Sequence, residues 1–187
     1  MSSILKVDQL QDSGGNEIIT SNGSGTITVN SQTFKNGITM ADHWRLSANT
    51  NSGTSADITT NWERVDLFFE KIGTGMTESS GIFSFPSTGK YLITEFWTTN
   101  VANGDLADVI GQVTTDNSTY AFITRNLVTA AGGAEFNSTS NQYLLDVTDT
   151  SNVKIKWTTN SFASGTVLQG STDDNRSSVS FLRIGDT

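Results

Sequence analysis

The residues of this chain that could do chemistry are few and scattered. His43 is the single histidine, and its neighbour Asp42 would point to the opposite face of a strand, so the two make no catalytic pair. The chain has no cysteine, which removes thiolate nucleophiles and disulfides. Carboxylates that could cleave a glycoside as a pair show no distinctive spacing; they are Glu63, Asp66, Glu70, Glu95, Asp105 and Asp108. The sequence therefore predicts a protein that is not an enzyme.

Glu95 is the carboxylate in the most unusual position. Ile93 and Trp97 flank it at alternate positions, so in a strand its side chain would share a face with two core residues. A carboxylate buried there needs partners, because desolvation of an unpaired charge is costly. We expect instead that the register shifts or that this face is partly wet.

Calcium is the one cofactor for which the sequence offers candidate ligands. Ca²⁺ takes six to eight oxygen ligands, often from loops. Two oxygen-rich loops supply Asp146 and Asp149, within DVTDTSN, and Asp173 with Asp174. Neither loop has the D-x-D-x-D-G spacing, and Asp is also common in ordinary turns because it caps the local backbone. We expect no cofactor, with Ca²⁺ at these four aspartates as the alternative.

Charge and composition exclude several classes of partner. The net charge is -8 and the calculated pI about 4.4, and the Lys and Arg residues are scattered, which argues against nucleic acid. No apolar run approaches the roughly 20 residues that span a bilayer. The N-terminus lacks a basic region followed by an apolar core, so we expect no secretory signal. Absence of cysteine favours synthesis in a reducing cytosol.

Period-two alternation dominates the elements that must position these side chains. Val153, Ile155 and Trp157 lie on one face of a predicted strand, and Tyr143 and Leu145 lie on one face of another. Turns rich in Gly, Asn and Ser separate such runs. From residue 43 onward we count about eight to ten strands, too many for one open twisted sheet. The sequence predicts an all-β, two-sheet antiparallel sandwich or jelly roll.

The tryptophans could in principle stack on sugars. Trp97 and Trp157 sit in alternating patterns that favour the core, whereas Trp62 lies in a stretch with the character of a loop. We expect packing rather than ligand stacking for all four tryptophans, which also include Trp44.

Residues 1–40 differ from the head domain predicted for residues 41–187. Their short strands carry too few apolar residues to bury a core alone. They need a partner, which could be the head, sister subunits or a docking surface on another protein. The predicted docking and trimerisation residues are apolar: Ile4, Leu5, Val7, Leu10, Ile18, Ile19, Ile27 and Val29.

The head carries two motifs of a known family. The run from Gly81 to Ile93, GIFSFPSTGKYLI, resembles the central strand pair of the C1q/TNF-like jelly roll, with an aromatic strand, a Pro-Gly turn and a Tyr-led strand. The run from Ser177 to Gly185 resembles that family's closing strand, but Leu182 stands where the family usually has Gly. The resemblance covers about residues 43–185. It implies a C1q/TNF-like head that forms a homotrimer with its N-termini near one end.

The leader from Ser3 to Asn16, SILKVDQLQDSGGN, resembles the opening of virion structural proteins of tailed phages, particularly marine and cyanobacterial ones. This resemblance implies a trimeric fibre, appendage or capsid decoration protein that docks by its N-terminus. Its partners would be other virion proteins of the capsid or tail, and a host-surface glycan or receptor. It would be made in the host bacterial cytoplasm and lie on the virion surface. The alternatives are a C1q- or lectin-type carbohydrate or receptor-binding module and a glycan depolymerase.

Overall fold

The computed structural model describes residues 9–25, 27–29 and 37–187. Fourteen strands and no helix are found among these residues. The chain divides into two compact units, Met1–Gly37 and Ile38–Thr187. Since the described residues contain no helix, none is present that is long and apolar enough to cross a membrane.

The first unit is a three-stranded antiparallel meander. Its strands are β1 (Gln9–Gln11), β2 (Glu17–Ser21) and β3 (Ile27–Val29), in the order β1-β2-β3. Asp12 shapes the turn between β1 and β2, because its carboxylate accepts hydrogen bonds from the amides of Gly14 and Asn16 at 2.8 and 2.9 Å. These bonds, those from Asn16 foremost, hold the pKa of Asp12 below its usual value.

The second unit, the head, is a sandwich of two antiparallel sheets. Its strands are β4 (Ala41–Leu46), β5 (Trp62–Arg64), β6 (Thr77–Ser79), β7 (Ile82–Ser84), β8 (Gly89–Val101), β9 (Leu106–Thr114), β10 (Tyr120–Thr129), β11 (Glu135–Val147), β12 (Lys154–Asn160), β13 (Val167–Leu168) and β14 (Ser178–Gly185). One sheet has the order β11-β8-β14-β4-β5, with β13 also paired to β8, and the other has the order β10-β9-β12-β7-β6. The predicted all-β, two-sheet class is confirmed.

The core lies between the sheets and is rich in aromatic rings. Along β8 every second residue is buried, so Tyr91, Ile93 and Trp97 point inward as their alternation predicts. Phe83 is fully buried and contacts four rings edge-on or tilted, with centroids 4.9–5.6 Å apart. Those rings belong to Trp44, Trp62, Trp157 and Phe181. Such pairs contribute beyond the area that they bury.

The tryptophans pack as expected, but Trp62 is not in a loop. It lies in β5, and its indole Nε1 donates to the carbonyl of Ile58 at 2.8 Å while its ring packs on Phe83. This partner satisfies the polar end of the side chain, so the ring can join the core.

The GIFSFPSTGKYLI phrase takes a different course from the expected strand pair. Its aromatic strand is β7 and its Tyr-led strand is β8, but the two belong to different sheets and do not pair with each other. The turn instead carries the chain from one sheet to the other. Gly89 is required at its end, because its φ is 143° and an added Cβ would lie 2.6 Å from the carbonyl oxygen of Gly185.

Candidate self-association face

The outer side of the larger sheet presents consecutive rows of side chains from β11, β8 and β14. The register places Leu144, Leu92 and Leu182 in one row, which Ala41 of β4 extends. The next rows are Gln142, Thr94 and Ser180, and then Ser140, Phe96 and Ser178. Within residues 38–187 no second sheet covers this side. We call these three rows the outer face.

The outer face combines apolar side chains with small polar ones. Leu144 is 68% exposed and Phe96 39% exposed, whereas Leu92 and Leu182 are half-buried among their neighbours. Sequence reasoning did not select these residues as a site. A signal was available, because they occupy the solvent-facing positions of strands whose other positions already fill the core.

Formal charge is confined to the edges of this surface. No charged residue stands in the three rows on β11, β8 and β14. Lys90 and Asp146 form an ion pair at 3.0 Å in the next row. Arg45 on β4 continues the third row beside Ser178, and its charge is paired with Glu63 of β5. The face is therefore neutral in a chain whose net charge is -8.

A depression of about 240 Å³ opens at the β4 side of the outer face. Leu92, Thr94, Ser180 and Leu182 line it together with His43. Phe69, from the connection between β5 and β6, forms another wall, and its ring meets that of His43 edge-on at 6.1 Å between centroids. This places the single histidine on an uncovered surface and not in a catalytic constellation.

Phe68 projects from the same connection and is 99% exposed. Its φ of 62° is a strained value for a bulky residue. Both flanks are held, because Asp66 pairs with Arg45 at 3.3 Å and Phe69 packs on His43. The strain is thus maintained by contacts on either side of the exposed ring.

The predicted docking residues of the first unit are found in part on an exposed sheet. Leu10 pairs in register with Ile19, and Ile19 with Val29, so the three positions form one row across β1, β2 and β3. Leu10 is 49% exposed and Ile19 37% exposed, and Ile18 lies at a similar exposure. Ile27 belongs to β3, whereas Ile4, Leu5 and Val7 lie outside the described residues. Docking itself stays a prediction.

The four candidate calcium ligands do not come together. Asp146 pairs with Lys90, and Asp174 pairs with Arg176 at 3.0 Å. Asp149 accepts hydrogen bonds from the Ser151 amide and hydroxyl, which lower its pKa. Asp173 is exposed in the turn before β14. In the part of the chain that the structure describes, no group of three His, Asp or Glu side chains is arranged to hold a metal ion.

Glu95 is fully buried, so the expectation of a wet face or shifted register was wrong. Neutral donors surround its carboxylate: Trp97 Nε1 at 3.1 Å, Thr124 Oγ1 at 2.9 Å and Asn126 Nδ2 at 2.8 Å. Their bonds offset the desolvation that argued against burial. Burial, foremost, and the neighbouring charge of Glu95 raise the pKa of the Tyr143 hydroxyl well above its usual value.

Known structures resemble this fold despite low sequence identity. Murine APRIL, in its crystal structure at pH 5.0, matches with 14% identity and a TM-score of 0.59, covering 78% of this chain and 98% of that chain. The head has the TNF-like jelly-roll fold. Eiger TNF from S. frugiperda matches this chain at 12% identity and a TM-score of 0.61, covering 81% and 96% of the two chains.

Other comparisons add little to the jelly-roll assignment. PRD1 vertex protein also matches, at 17% identity over 80% of this chain and 99% of that chain, but its TM-score of 0.49 is too low to inform the fold. No family model matches the chain, and no curated protein matches it. Fold alone does not fix function, so the role of the jelly roll must be argued from its surfaces.

Proposed function

We propose that this chain is a non-enzymatic structural protein of a phage particle. In this proposal three copies associate through the outer face of the jelly roll, and the N-terminal segment docks the trimer on the virion. The observation that carries the proposal is the neutral, partly apolar outer face on a strongly acidic chain.

Charge favours a second copy of the chain as the occupant of this face. Two copies that each carry a net charge of -8 repel, so a contact between them is best made where charge is absent. Interface cores are depleted of charged residues and enriched in aromatic ones, as in the rows that hold Leu144, Leu92 and Phe96. Closure of a ring of copies also leaves no copy with this surface uncovered.

The first unit supports the docking half of the proposal. Its meander exposes Leu10 and Ile19 in one row, and an isolated sheet of three short strands is marginal in water. Covering that row with the same unit of sister copies, or with a virion protein, would stabilise it. This need for a partner fits an anchoring role.

The resemblance of the SILKVDQLQDSGGN leader to phage appendage proteins supports the choice of a virion. The partners would be capsid or tail proteins, and the protein would lie on the virion surface after synthesis in the bacterial cytoplasm. Copies per particle would separate the two structural roles, with a few dozen expected for a fibre and hundreds for a capsid decoration.

Removal of the first unit tests the docking half of the proposal. We expect a chain lacking residues 1–37 to keep a folded head, because the head forms its own compact unit with its own core. The truncated chain should be absent from particles assembled in its presence, measured by quantitative mass spectrometry of purified virions. The full-length chain with Asp174→Ala, a change in an exposed turn, is the matched control. Incorporation of the truncated chain at the control's level would overturn the docking role.

A further inference from the structure

His43 is a titratable group on the outer side of the larger sheet. The register places it beside Ser180, in line with Thr94 and Gln142, and therefore in one of the rows of the outer face. Its ring forms part of the wall of the 240 Å³ depression and is half-buried there. Covering the face would bury the ring completely.

The groups that face His43 offer an imidazolium little compensation. From β14 and β8 it meets the hydroxyl residues Ser180 and Thr94, and from the β5–β6 connection it meets the apolar Phe69. On its own strand Arg45 adds a like charge. The Asp42 carboxylate is already engaged by Arg64, Trp44 Nε1 and the Met76 amide.

The ring has no carboxylate partner among residues 37–187, since none of the ion pairs found there includes His43. Burial lowers the pKa of His43 below 6.5, and the charge of Arg45 acts in the same direction, while the weaker effect of Asp42 opposes them. The neutral ring is thus already favoured in the separate head.

We propose that His43 makes assembly of this protein sensitive to mild acid. The inference rests on the proposed self-association through the outer face and names its regulation. A second copy that covers the face packs against the His43 ring in its neutral form. A protonated imidazole opposes that contact, because a cation would lose water without gaining a partner.

The sign of the pH effect follows from linkage. Covering the face lowers the affinity of His43 for a proton. The assembled chains therefore bind fewer protons than the separate chains do. The contribution of the neutral ring to assembly is therefore present at neutral pH and is lost as the pH falls through the titration of His43 in the separate heads. Each ring can lower the association constant by up to about tenfold per pH unit, and three rings by up to about a thousandfold.

Sedimentation equilibrium at pH 7.5 and pH 5.5 tests the inference on the full-length chain. The ordinary pKa values of Asp and Glu, about 3.9 and 4.3, lie below this range. We expect the natural chain to be a trimer at pH 7.5 and to have a lower association constant at pH 5.5. His43→Gln should remain assembled at both pH values, and His43→Lys should be weakened at both. Circular dichroism at each pH verifies that the heads remain folded.

The outcomes separate this inference from the proposed function. A monomer at pH 7.5, for the natural chain and His43→Gln alike, overturns the self-association on which the inference rests. A trimer whose association constant is the same at both pH values leaves the proposed function standing and overturns the role of His43. Equal weakening of the natural chain and His43→Gln at pH 5.5 also overturns it, because another group would then be responsible.

Discussion

Asp42 is a buried carboxylate that accepts hydrogen bonds from three neighbouring residues. It is 1% exposed, and Trp44 Nε1, Arg64 Nε and the Met76 amide donate to it at 2.9, 2.9 and 2.7 Å. The guanidinium of Arg64 also lies 4.5 Å from the centroid of the Trp44 ring. One acid thereby ties β4 to β5 and to the chain before β6.

Replacement of Asp42 should destabilise the head strongly. Asp42→Ala leaves the buried Trp44 Nε1 and Met76 amide without an acceptor, and each buried donor left unsatisfied costs about 1–3 kcal/mol. Urea unfolding followed by tryptophan fluorescence measures this loss. Asp174→Ala removes an exposed ion pair and should leave the unfolding midpoint unchanged. Equal midpoints for the two variants would contradict the role given to Asp42.

Single residues were the hardest feature to predict from the sequence. Alternation placed Glu95 on the core face, yet we expected a wet face or a shifted register. Two of its three donors come from β10, about 30 residues away along the chain. Asp42 and His43 are neighbours on one strand, and alternation alone correctly separated them to opposite faces. Local pattern therefore gives the direction of a side chain, while the partners that make burial acceptable are set by tertiary structure.

Gly111 shows how closely strands approach within the sandwich. It lies in the middle of β9, and an added Cβ would meet Thr124 Oγ1, would lie 2.8 Å from Glu95 Oε1 and would lie 3.2 Å from Trp157 Nε1. Its amide donates to Thr124 Oγ1 at 3.1 Å. Absence of a side chain at this point lets the Glu95 network form.

Gly111→Ala should therefore destabilise the head although alanine is a small residue. Overpacking of this kind costs about 1–3 kcal/mol, since the buried network must shift. Gly132→Ala is the control, because its nearest non-neighbouring atom would lie 4.0 Å from the new Cβ. Thermal unfolding of both variants checks the difference. An unchanged melting temperature for Gly111→Ala would contradict the prediction, because the network would then shift without loss of stability.

Elements were predicted better than sites. Period-two alternation identified β11 and β12, and the motif from Ser177 to Gly185 fell on β14. The sheet to which each strand belongs was not readable, so the phrase from Gly81 to Ile93 was interpreted as one strand pair although β7 and β8 lie in opposite sheets. Leu182, where the family usually has Gly, falls in the leucine row of the outer face, which only the register reveals.

The whole molecule consists of two units that differ in how far they bury their apolar side chains. The head has a core of buried aromatic and aliphatic side chains, whereas the described strands of the first unit expose Leu10 and Ile19. Composition and alternation predicted this contrast, because apolar residues are few before residue 40 and the aromatic residues cluster after it. Neither could show the neutral outer face, which exists only once three strands lie in register.

The native mass of the full-length chain tests the central claim most directly. Multi-angle light scattering at pH 7.5 should give about three times the chain mass of 20.1 kDa. Leu144→Asp, which places a charge in the exposed leucine row without touching the core, should shift the mass toward one chain. If the natural chain is a trimer and Leu144→Asp has the same native mass, the contact between copies lies on another surface. A natural chain with the mass of a monomer would contradict the account.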